Sequence, residues 1–84
     1  MKYRVLIVED DMLVNELLTE TVQRAGYECL STTSGEDGVA QFQDTMCEIV
    51  LSDLKMADMD GIGVLEQVKK IAPATIVVIM TAYG

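Results

Sequence analysis

The sequence predicts an α/β protein, a doubly wound parallel sheet in the order β-α-β-α-β-α-β. Four short strand-like runs, at 5–8, 27–32, 49–52 and 76–80, are spaced along the chain. Between them the apolar residues change to helical spacing. Helix-opening and helix-closing residues stand at the joins. Strands alternating with helices imply a parallel sheet joined by right-handed crossovers.

Val5-Leu6-Ile7-Val8 is wholly apolar and mostly β-branched, the composition of a strand buried on both faces. Asp11 precedes the first helix as its cap, and Val14, Leu17, Leu18, Val22 and Ala25 recur at helical spacing before Gly26 ends it. Tyr27 to Thr32 has mixed polarity, which suits an edge strand. Ser34 with Asp37 three residues on resembles a capping box, opening a helix through Val39 and Phe42. Ile49-Val50-Leu51-Ser52 is the third strand. Asp60 caps a helix carrying Ile62, Leu65, Val68 and Ile71, with Lys69 and Lys70 near its negative end, and Pro73 stops it. Ile76-Val77-Val78-Ile79-Met80 is the fourth and strongest strand.

Length and composition narrow the function. An 84-residue chain suits one small domain, and its 50% hydrophobic content argues for a folded core. The net charge is −8, from 14 acids against 6 bases, with no histidine. That balance disfavours direct contact with DNA or RNA, whose phosphates call for clustered Lys and Arg. No apolar run approaches the roughly 18 residues of a membrane span. The start is too soon interrupted by acids for a signal peptide, so a cytoplasmic location is expected. Cys29 and Cys47 read as small core residues rather than a disulfide or a zinc site.

Open α/β sheets place their ligands at the carboxyl ends of the strands. After the first strand come Glu9, Asp10 and Asp11; after the third comes Asp53; after the fourth comes Thr81. If the first and third strands are neighbours, carboxylates converge at one rim and repel unless a cation lies between them. Oxygen ligands without His or Cys suit a hard ion, Mg²⁺ or Mn²⁺. Helix capping alone accounts for Asp11, but it is a poor account of Glu9, Asp10 and Asp53 together.

The segments Val5-Leu6-Ile7-Val8-Glu9-Asp10-Asp11, Leu51-Ser52-Asp53-Leu54-Lys55-Met56-Ala57-Asp58-Met59-Asp60-Gly61 and Ile79-Met80-Thr81-Ala82 resemble, in order and spacing, the signature of bacterial response-regulator receiver domains. The resemblance implies a flavodoxin-like (CheY-like) fold with strand order 2-1-3-4-5. It implies that Asp53 accepts a phosphoryl group from a sensor histidine kinase. Asp10 matches the direct Mg²⁺ ligand, Glu9 its water-bridged acidic partner, and Lys55 the position whose backbone carbonyl completes the metal site. Thr81 matches the hydroxyl that bonds the attached phosphoryl group, and Ala82 the small residue that leaves room for it. The ending Thr81-Ala82-Tyr83-Gly84 resembles receivers of NtrC-like transcriptional activators.

The chain departs from the family pattern in three ways. Ala57 stands where the family usually has proline, which should loosen that loop. The fifth strand with its phosphate-binding lysine and switch aromatic is not found by Gly84, nor are the fourth and fifth helices. Residues 1–84 are therefore expected to be the N-terminal portion of a receiver, with an incomplete sheet. An exposed fourth strand would then favour a homodimer, by strand pairing or segment exchange. Losing the lysine should make phosphoryl acceptance slow.

Other readings fit less well. For a Rossmann enzyme, Gly61-Ile62-Gly63 follows an acid and lacks the third glycine. A haloacid-dehalogenase-like phosphatase wants a second aspartate where Lys55 stands. An EF-hand fails because Met56 and Gln67 hold its first and last ligand positions. The real alternative is a non-catalytic association module that dimerises or binds the kinase. Its kinase-facing surface would be the first helix, with Asn15, Thr19 and Gln23 on the exposed side.

Overall fold

In the computed structural model, residues 3–81 are described. The elements are β1 (Arg4–Val8), α1 (Met12–Arg24), β2 (Glu28–Thr32), α2 (Gly35–Asp44), β3 (Ile49–Asp53), α3 (Gly61–Ile71) and β4 (Ile76–Met80). The caps act where the sequence places them. Asp11 accepts from the N–H groups of Leu13 and Val14, Ser34 from Asp37, and Asp60 from Gly63. Gly26 takes the positive φ of 95° that turns the chain out of α1. The third strand runs one residue further than the apolar run suggests and includes Asp53.

All pairings are parallel, and among the described residues the strand order is β2-β1-β3-β4. β1 therefore lies inside the sheet, and Val5 to Val8 are buried on both faces as their composition predicts. β2, of mixed polarity, is an edge. The chain moves outward from β1 to β2 and back across to β3. With right-handed crossovers, α1 falls on one face and α2 and α3 on the other.

The core lies on the α2/α3 face. Leu6, Val8 and Val50 project from the sheet against Val39 and Phe42 of α2 and Val64 and Val68 of α3, with Cys47 beside them. Two sequence expectations about helix faces need correction. On α3 the buried positions are Val64 and Val68, while Ile62 is 46% exposed. Ile62 lies two residues from Val64 and so on the opposite side of the helix, while Gly61 in the same turn is buried against the Asp53 carbonyl. On α1, Asn15 is buried rather than part of an exposed face, and of the three residues expected there only Gln23 is exposed.

Candidate functional site

Parallel pairing of β1 with β3 in the register Val8 to Ser52 brings the residues after β1 to the same rim as Asp53. Glu9, Asp10 and Asp53 each place a carboxylate oxygen within 4.8 Å of the others. The convergence expected from two strand ends is thus present. Asp11 stays apart, engaged as the α1 cap through N–H bonds of 3.0 and 3.2 Å.

The corner after β1 is tightly held. The Glu9 N–H donates to the Thr32 carbonyl at 3.1 Å, and the Glu9 carboxylate accepts from the Asp11 N–H at 3.0 Å. The buried Asn15 amide donates to the Glu9 carbonyl at 3.0 Å and to the Thr32 carbonyl at 2.9 Å. Burial pushes the Glu9 carboxyl above its ordinary range; the Asp11 N–H partly opposes this, and the charges of Asp53 and Asp10 add to it. A group of like charges held at this spacing offers oxygen ligands to a hard cation, which would relieve the repulsion. No softer ligand joins the cluster among the described residues.

On the other side of Asp53, the Leu54 N–H continues the ladder by donating to the Met80 carbonyl at 2.9 Å. This draws the ends of β3 and β4 together. Asp53, Leu54, Lys55 and Thr81 line a cleft of about 100 Å³ at that point. The fold therefore assembles five of the six expected site residues at one rim: Glu9, Asp10 and Asp53 as the acid cluster, and Lys55 and Thr81 beside Asp53. Ala82 lies outside the described residues.

Two residues escaped the sequence reading. Asn15 shares the inward stripe of α1 with Leu18 and Val22, so a polar residue on an apolar stripe was its signal. Asp58 accepts from the N–H groups of Gly35 and Glu36 at 3.1 and 2.8 Å, tying the β3–α3 loop to α2. Nothing near Asp58 in sequence announces that contact.

Comparison with known proteins points to one family. The model of the response regulator receiver domain family matches residues 5–84. The transcriptional regulatory protein ZraR of Salmonella typhimurium is 37% identical over 83 residues, covering 99% of this chain and 19% of that protein. The chain thus spans about a fifth of that regulator's length. The chemotaxis protein CheY of Thermotoga maritima is 32% identical over 82 residues, covering 96% of this chain and 68% of that one. Among solved structures, response regulator TrrA of Thermotoga maritima, in complex with Mg(2+)-BeF, superposes with a TM-score of 0.92 at 31% identity. It covers 100% of this chain and 72% of that one. A family match across nearly the whole sequence, a relative matched over two thirds of its own length and a CheY-like strand order agree: the chain belongs to the response regulator receiver domain family.

Proposed function

We propose that this chain is a phosphoryl acceptor in a two-component phosphorelay, with Asp53 as the acceptor and a sensor histidine kinase as the donor. The observation that carries the reading is the meeting of Glu9, Asp10 and Asp53 oxygens beside the cleft that Lys55 and Thr81 line. Likeness to a response regulator solved with Mg(2+)-BeF supports it. Glu9, Asp10, Asp53 and the Lys55 carbonyl would hold Mg²⁺ or Mn²⁺, with millimolar-scale affinity given so few protein ligands. Such an ion neutralises charge between a carboxylate and an anionic phosphoryl donor.

The protein's own groups do the rest. An Asp53 carboxylate oxygen attacks phosphorus as the bond to the donor's leaving group breaks. Thr81, at the end of the neighbouring strand, supplies a hydroxyl for the new phosphoryl oxygens, and Ala82 leaves them space. No helix among the described residues is long and apolar enough to cross a membrane. We place the activity in the cytoplasm, with control of transcription as the output of a regulator like ZraR. The acidic chain itself leaves DNA contact to other domains.

Acetyl phosphate with Mg²⁺, followed by intact mass, tests the reading. For residues 1–84, slow or undetectable labelling is expected, with any added phosphoryl group on Asp53 and abolished by Asp53→Asn; rapid stoichiometric labelling, or labelling at another residue, overturns the reading. Mn²⁺ relaxation titration should weaken in both Asp10→Asn and Asp53→Asn. A second reading, an association module without phosphotransfer, draws on the apolar β4, where Ile76 is 59% and Val78 43% exposed. A homodimer through β4, by strand pairing or segment exchange, would cover them. Sedimentation over a range of concentrations reads this out, and a compact monomer at high micromolar concentration defeats it.

A further inference from the structure

The β3–α3 loop, residues 54–60, is the longest connection between elements in the described chain, and it contains no proline. Lys55, Ala57, Asp58 and Asp60 in it are exposed. Loops of this kind are mobile unless anchored. Two anchors close its ends: the Gly61 N–H donates to the Leu54 carbonyl at 2.8 Å, and Asp60 caps α3. Its middle is tied to another element by the Asp58 carboxylate, whose two oxygens each accept one N–H from the first turn of α2. The approach is close. A Cβ on Gly35 would lie 2.5 Å from the Met59 carbonyl oxygen, so the loop backbone rests directly on the helix start.

Asp58 is not needed merely to start α2. Ser34 already caps that helix from within, accepting from the Asp37 N–H at 3.1 Å, while Asp58 takes the Gly35 and Glu36 N–H groups that Ser34 leaves. A carboxylate there also meets the positive end of the helix dipole. The division of labour assigns Ser34 to the helix and Asp58 to the loop.

We propose that Asp58 is a positioning residue for the site at Asp53. By fixing the middle of the loop to α2, it sets the place of Lys55, three residues earlier, in the cleft shared with Asp53 and Thr81. The proposal rests on the reading of that cleft as the metal and phosphoryl site. The N–H groups that hold the loop also keep the Asp58 carboxyl below its ordinary range, as an engaged anion requires.

The test compares wild type, Asp58→Ala, Asp58→Asn, Ser34→Ala and Glu36→Gln by Mn²⁺ relaxation titration and by amide hydrogen exchange at residues 55–59. Asp58→Ala should speed exchange there and weaken Mn²⁺ binding by roughly tenfold, the low end of what losing the support behind a ligand costs. Asp58→Asn, which keeps one acceptor oxygen, should fall between it and wild type. Ser34→Ala loosens α2 without freeing the loop, and Glu36→Gln removes a neighbouring charge without touching the anchor; both should bind within about twofold of wild type. Equal weakening in Ser34→Ala or Glu36→Gln overturns the proposal, as does unchanged exchange in Asp58→Ala. Wild type that binds no Mn²⁺ defeats the reading of the metal site. The exchange data then still decide whether Asp58 holds the loop.

Discussion

On one face of the sheet, Leu6, Val8 and Val50 are fully buried beneath Phe42 of α2 and Val64 and Val68 of α3. On the other, α1 lies over β1 and β2, and apolar residues stay open on the helix and the strands alike: Leu17 is 64% exposed and Ile76 59%. The same strands supply both faces, since alternate residues point opposite ways. What differs is the means of attachment. The α2/α3 face is held by interlocked aliphatic and aromatic side chains. The α1 side is pinned at one corner by a polar group, the Asn15 amide, bonded to two main-chain carbonyls. Stability resides mainly on the first face, and the second leaves surface free for contact. The acid cluster lies at the rim where the two meet.

The largest effect should come from the heart of the packed face. Phe42→Ala removes a fully buried ring and should cost about 3–5 kcal/mol, which is most of what a small domain has. Urea unfolding followed by circular dichroism measures it, and a loss below about 1 kcal/mol would break the contrast. Asn15→Leu keeps the branched outline but adds volume and removes both donors, leaving the Glu9 and Thr32 carbonyls without that partner. A loss of about 2 kcal/mol is expected from such burial, with weaker Mn²⁺ binding because the Glu9 corner relaxes. A variant as stable as wild type would mean that α1 is held by packing after all.

Lysine at both Ile76 and Val78 sharpens the comparison from the exposed side. The monomer should change by about 0.5 kcal/mol or less, whereas any self-association through β4 should be lost in sedimentation. A large destabilisation would show these side chains to be part of the core. The smallest effect concerns Asp58. Its carboxyl is held below the ordinary value of 3.8, so its stabilising bonds are in place above that value. They are lost as pH falls through the lower, folded-state value. Asp58→Asn should therefore be less stable than wild type at neutral pH, and the gap should close in acid. Chemical denaturation at several pH values reads this directly, and a gap that does not narrow as pH falls below 3.8 would contradict it.

The elements, their order and their ends were legible in the chain, because apolar period, capping and turn formation act within a few residues. Asp11, Ser34, Asp60, Gly26 and Pro73 could be read locally for that reason. The sequence also placed Glu9, Asp10 and Asp53 at strand ends, since an acid after a buried apolar run has nowhere else to go. Local pattern left open whether β1 lies beside β3; the family resemblance implied it, and the folded sheet has it, which turns three separated acids into one cluster. Only the tertiary structure decided which stripe of α3 is buried: helical spacing fits both Ile62 and Val64, but only Val64 lies over the sheet. Asn15 and Asp58 were decided the same way. Their partners, Thr32 and the start of α2, lie 17 and 22–23 residues away in sequence, and strand order and crossover handedness bring them into reach.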